Sequence, residues 1–423
     1  MNYKKELLKQ GVTIHRINTN KFKTNLFAIF VTTKLNRENV TKNALLTAVL
    51  RRGTSSLPTQ EEISKKLENM YGASFDCGVE KTGDNHVLKF YLESINNEFL
   101  PIEENLSKEC MDILIDIVFN PFTENGQFKQ EYIDGEKENL KQIIEGKIDN
   151  KARYAFDRCI EEMYKNEPYG LYKYGYIEDL DKIDAKNLYE YYQELIKTAK
   201  IDIFVSGDLD ENIINEIKEN EIIQAIAERE PQYNVNKKNA GKRKIEEPKN
   251  VAESMQIAQG KLIIGLDVLD NKKESKYAVS VYNVILGGSS NSKMFQNVRE
   301  KASLAYTAGS NYLRQKDNIF IKAGIDIQNY EKALEIIKEQ LNQMKNGDFT
   351  EEDINNAKII IDSSVGSIPE SQDSEITYYF SQEISDEMVS IEDYIKKINE
   401  VNKNQIIDIA NKIQINTVYF LRD

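Results

Sequence analysis

Histidine is the scarcest chemistry-bearing residue of this chain: the 423 positions hold two, His15 and His86. A mechanism that needs a histidine cluster must recruit it from elsewhere. Cysteine is nearly as sparse. Cys77, Cys110 and Cys159 are odd in number and more than thirty positions apart, so they indicate neither a disulfide framework nor a thiolate metal site. They read as packing residues in a reducing compartment. No run of about 18 apolar residues exists to span a bilayer, so no membrane partner is expected. The opening Met1-Asn2-Tyr3-Lys4-Lys5-Glu6 has a basic pair with no apolar stretch behind it. That is not a secretory signal, and a cytoplasmic location is expected. Positive charge is also short: 56 Lys and Arg against 69 Asp and Glu leave a net charge of −13. That balance argues against a nucleic-acid backbone as partner and favours a basic peptide.

What is present is ordinary globular material, 40% hydrophobic and 30% charged, in a chain long enough for two or more domains. Alternating apolar residues predict strands over 12–17 and 25–32. A helix over 43–52 presents Leu45, Leu46, Val49 and Leu50 to a sheet. A second over 59–71 opens with Thr59 and Glu62 in the capping-box pattern. A hairpin over 73–79 and 86–94, helices over 100–119, 128–150, 154–164 and 185–196, and a strand over 200–206 complete an α+β layer arrangement, with helices packed on one face of a sheet. His15 reads as a surface or edge-strand histidine and His86 as a structural one.

Residues 229–251 form a linker whose prolines, Gly241 and basic cluster Lys242-Arg243-Lys244 keep it from building a core. Beyond it the order recurs. A strand over 260–268, a helix over 277–286, a hairpin over 305–312 and 318–326, helices over 330–346 and from Glu352, and a final helix over 402–413 and strand over 417–421 repeat the first half after about 235 residues. We read two copies of one domain, 1–228 and 252–423.

Between the repeated elements lies Met294 to Tyr306, preceded by Gly287-Gly288-Ser289-Ser290. Phe295, Val298 and Ala302 have helical spacing, and Leu304, Ala305 and Tyr306 begin a strand. Arg299 and Tyr306 therefore flank a helix-to-strand corner that can aim a guanidinium and a phenol into one cavity. The bland alternative pairs Arg299 with an acidic neighbour and packs Tyr306 in the core.

This tandem arrangement, with R-E-K-A-S-L-A-Y in its second half, resembles the pitrilysin and insulinase family of metallopeptidases, the inverzincins. Glu167-Pro168-Tyr169-Gly170, the segment from Gly175 to Leu180, and Val205-Ser206-Gly207-Asp208 carry the likeness further. The resemblance implies a half clam-shell of two such domains. It also implies an inverted zinc motif H-x-x-E-H just before a Gly-Thr. Counting back from Gly53-Thr54 puts Ala44 and Ala48 at the ligand positions and Thr47 at the base position. The family's third ligand falls near Ile143, with Glu145 two residues on. A methyl group has no lone pair to give a metal, so no metal is expected in this chain and zinc is expected in a partner.

What the resemblance retains is the pair Arg299 and Tyr306. In the family these hold the substrate carbonyl and oxyanion from the domain opposite the zinc. The chain thus resembles the non-catalytic, substrate-binding subunit of a heterodimer whose other chain, of similar size, bears the zinc. It is expected to be inactive alone, with a homodimer open when isolated. Gly287, Gly288, Ser289 and Ser290 are either a flexible contact to partner or substrate or a helix stop. Ala73 and Ser74 mark the edge strand that in such enzymes binds a peptide by strand addition. The alternative reading is a catalytically inert peptide-binding or scaffold protein.

Overall fold

The computed structural model describes residues 2–235, 244–270 and 272–423. They form two compact units, each taking in a piece of the other half of the chain. Unit 1 comprises Met1–Gly146, Leu171–Asn234 and Pro369–Ile384; unit 2 comprises Lys147–Gly170, Val235–Ile368 and Ser385–Asp423.

Among the described residues, unit 1 is built on a six-stranded sheet of β1 (Tyr3–Lys9), β2 (Val12–Asn18), β3 (Thr24–Lys34), β4 (Ser74–Thr82), β5 (Asn85–Ile95) and β6 (Lys200–Gly207). The order is β1-β2-β6-β3-β5-β4. Only β2 and β6 run parallel. β3 is apolar along most of its length and buried along nearly all of it, which requires cover on both faces. Phe27, Ile29 and Val31 pack with Leu45, Leu46 and Val49 of the helix Val40–Leu50. Leu26, Ala28 and Phe30 pack with Ile376, Tyr379, Phe380 and Ile384 of the helix Gln372–Ser385. Most helices thus gather on one face, and a single helix covers part of the other. The expected capping box forms at Thr59 ahead of Gln60–Asn69.

Unit 2 repeats the plan with β7 (Lys249–Ser254), β8 (Gly260–Val268), β9 (Ala305–Leu313), β10 (Asn318–Ile325) and β11 (Ile413–Arg422). Its order is β7-β11-β8-β10-β9. Leu262, Ile264 and Leu266 face the main core, while Ile263, Phe320 and Tyr419 meet Phe156, Cys159 and Ile160 of the helix Lys151–Met163. A Cβ on Gly265 would lie 2.7 Å from the Met163 sulfur; the glycine permits that helix to approach.

Three sequence expectations change. Strand β1 was not foreseen, because Lys4, Lys5 and Glu6 hide its alternation. The linker is not free at its ends: Arg229 is buried, Tyr233 packs on the second-face core of unit 1, and 249–251 already belong to β7. Its basic tract over 236–243 lies outside the described residues. Finally, His15 is neither exposed nor on an edge strand. It is fully buried in β2, with Nδ1 2.8 Å from the Tyr3 hydroxyl and Nε2 2.9 Å from Asp202 Oδ1.

Candidate functional site

The positions on which the family's zinc motif falls lie on the helix Val40–Leu50, which is buried on nearly every side and sits inside the core of unit 1. Ala44 is buried, Ala48 half-buried and Thr47 buried. The Thr47 hydroxyl is turned back on its own helix, donating to the Asn43 carbonyl at 2.9 Å. Asn43 organises the polar chemistry instead: its Nδ2 lies 3.0 Å from His86 Nδ1, and its Oδ1 accepts from the Tyr191 hydroxyl at 2.6 Å. Burial pushes the His86 imidazole down to about 3. It is therefore neutral near pH 7 and uses Nδ1 as an acceptor, as a structural histidine does. On the helix Gln130–Glu145, Ile143 and Glu145 face solvent. The inward carboxylate there is Glu136, which meets Arg52 Nη1 at 3.1 Å.

Arg299 and Tyr306 occupy the corner between a helical segment and β9 of unit 2, two elements that pack on each other. The expected α-helix is a π-helix, Met294–Lys301. The Ala302 amide donates to the Asn297 carbonyl, five residues back, at 3.3 Å. Met294 and Val298 anchor it in the core while Arg299 points outward. Ser303 then takes a left-handed φ of 52°, strained for a residue with a Cβ. β9 begins with a bulge: Ala305 pairs with Ile325 and Thr307 with Gly324, so Tyr306 is the extra residue. Its side chain is 64% exposed and forms no part of the core. Arg299 stacks 4.4 Å from the Phe295 ring centre and lies 3.5 Å from Glu300 Oε1. No hydrogen bond joins Arg299 to Tyr306 among the described residues. Irregular helices and bulges recur where a side chain must be re-aimed, and this corner has both.

Gly287 closes the helix Ser275–Gly287, and a Cβ there would lie 2.5 Å from the Ser310 amide of β9. The Gly288 amide caps the helix on the Asn283 carbonyl at 3.0 Å. The Ser289 carbonyl accepts from the Ser292 hydroxyl at 2.5 Å and the Ser290 carbonyl from Gln296 Nε2 at 2.7 Å. The run is thus a closed turn feeding the π-helix. In unit 1, Ala73 is buried, and Ser74 opens the edge strand β4 beside a groove of about 710 Å³. Asp76 falls within the edge-strand stretch marked by Ala73 and Ser74, but sequence reasoning missed Glu80 and Lys173 in that groove. The signal available for Glu80 was its spacing of four from Asp76, which puts two carboxylates on one face of the strand.

A family model described as "Peptidase M16 inactive domain" matches residues 182–361. The chain is 37% identical over 425 residues to a protein of Bacillus subtilis (strain 168) named "Probable inactive metalloprotease YmfF", covering 100% of this chain and 99% of the other. The chain belongs to the M16 metallopeptidase family. A second relative from B. subtilis, named "Uncharacterized zinc protease YmxG", is 22% identical over 313 residues, 72% of each chain. A solved structure of a conserved protein from Enterococcus faecalis V583 superposes with a TM-score of 0.90 at 28% identity, covering 100% of this chain and 99% of that one.

An M16 zinc site needs two imidazoles and a carboxylate base on the first helix. The residues here do not fit the metal. Ala44 and Ala48 offer methyl groups, Thr47 spends its hydroxyl within the helix, and His86 is held by Asn43. Among the described residues no group of three or more His, Cys, Asp or Glu is placed to hold a metal ion.

Proposed function

We propose that this chain is a non-catalytic, substrate-binding subunit of a heterodimeric zinc peptidase in the cytoplasm, supplying Arg299 and Tyr306 to a partner's zinc site. The observation that carries the reading is the contrast between the two halves of the motif set. The metal positions are apolar and folded away, whereas Arg299 and Tyr306 are thrown outward by a π-helix and a bulge. A cation and a phenol held on a fixed corner can stabilise the oxyanion of peptide hydrolysis without any metal of their own. B. subtilis (strain 168) carries both a relative named a probable inactive metalloprotease and relatives named zinc proteases, so chains of both kinds coexist in that species. Peptide is taken up along the free edge of β4, beginning at Ala73 and Ser74, by strand addition.

Pull-down of the native protein followed by mixing with the recovered zinc-bearing chain tests this. Peptidase activity that neither chain has alone is the expected result. A second reading, an inert peptide-binding or scaffold protein, draws on the Phe295 and Glu300 contacts that already engage Arg299. It predicts recovery of no zinc-bearing chain, or a homodimer.

A further inference from the structure

The edge of β4 is capped by its own side chains. The Cys77 amide donates to Asp76 Oδ1 at 2.8 Å and the Lys81 amide to Glu80 Oε1 at 3.0 Å. The two amides share parity along the strand, so both face the side on which the sheet has no further strand. A carboxylate over an edge amide blocks casual pairing by another chain. The two caps differ in one respect. Glu80 also accepts from Lys173 Nζ at 2.9 Å, whereas Asp76 pairs with no cation among the described residues. Glu93, on the same face and opposite Ser74, pairs with none either.

A strand that adds to β4 must bring a carbonyl to the Cys77 amide and displace the Asp76 carboxylate. The bond lost is charge-assisted and the bond gained is neutral, so the exchange is unfavourable unless the freed carboxylate finds a new partner. Glu80 keeps Lys173 when its cap is removed. Asp76 keeps nothing. Its side chain shares the groove face with Glu93, and a residue of the incoming strand directly opposite would stand about 5 Å away. Gly78, next on that face, has no atom within 4 Å of where a Cβ would be, so a long side chain has room.

We infer that Asp76 is a displaceable cap that becomes a cation subsite, so that β4 selects extended peptides bearing a lysine or arginine on the groove face. The inference rests on strand addition at β4. Lys89, opposite Gly78 on the groove floor, confines the preference to the Ser74–Asp76 end, since a second cation set over Gly78 would meet its ammonium.

The test uses the full chain and two ten-residue threonine peptides, one carrying a single central lysine and the other a glutamine at that position, with affinities measured by calorimetry at low salt. The lysine peptide should bind about fivefold tighter than the glutamine peptide. In Asp76→Asn, which keeps an oxygen to accept from the Cys77 amide, that ratio should fall to about one while the glutamine peptide binds undiminished. Equal affinity of the two peptides for the unaltered chain would overturn the charge selection and leave strand addition standing. Failure of both peptides to bind would overturn strand addition at β4, and this inference with it.

Discussion

Individual residues of unit 1 tie its stability to pH through groups that take no part in the proposed chemistry. His86 is held neutral by burial down to about pH 3, whereas in the unfolded chain it takes up a proton near its ordinary 6.5. The unfolded state therefore binds more protons between those values, and stability falls as pH drops through that window. The dependence from this one group is at most about 1.4 kcal/mol per pH unit. Denaturant titrations at pH 7 and pH 5 should show a smaller pH loss in His86→Asn than in the unaltered chain. An identical loss would remove His86 as its source. Asp202 behaves in the same sense: burial alone would raise its carboxyl, but the Lys200 ammonium and His15 outweigh burial and hold it below its usual value. Its contribution is present at neutral pH and is lost in acid. The sequence marked both histidines as unlikely ligands, and the rarity of that residue made the argument safe. It could not reveal that His15 is buried, because Asp202 and Phe204, which meet it, come from a distant part of the chain.

At the scale of elements, the expectation of helices on one face of the sheet falls short: residues 25–32 read as an alternating strand, whereas β3 is buried along nearly all of its length and its sheet is covered on the second face as well. The cover is the helix Gln372–Ser385. Its stripe of Ile376, Tyr379, Phe380 and Ile384 is legible at helical spacing, but Gln372, Glu375, Gln382 and Glu383 obscure it, and three of these are buried polar residues rather than solvent-facing ones. Phe380 stands edge-on to Phe30 at 4.7 Å between ring centres. Phe380→Ala should cost about 3–5 kcal/mol by deleting a buried aromatic ring. Denaturant unfolding followed by a probe in unit 1 would measure it, and a loss below about 1 kcal/mol would mean that this helix is not an integral layer. The π-helix was illegible for a different reason. Met294, Val298 and Ala302 fit α-helical spacing as well as the wider turn, and only the backbone hydrogen bonds separate the two.

For the molecule as a whole, the repeat of sheet, helix and hairpin was visible in the sequence because both copies keep the same order and nearly the same spacing. The exchange of one helix between the halves was not, since it changes no local pattern. The proposed functional contrast also spans the whole chain: alanine and threonine at Ala44, Thr47 and Ala48, where the family's zinc motif falls, and at Arg299 and Tyr306 the pair proposed to serve the oxyanion. The most direct measurement is the turnover of the complex reconstituted with the zinc-bearing chain proposed as its partner, comparing the unaltered protein with Arg299→Ala and Tyr306→Phe and monitoring assembly by sedimentation. Each variant should assemble normally and lose about 100-fold in kcat; full turnover in both would contradict the account.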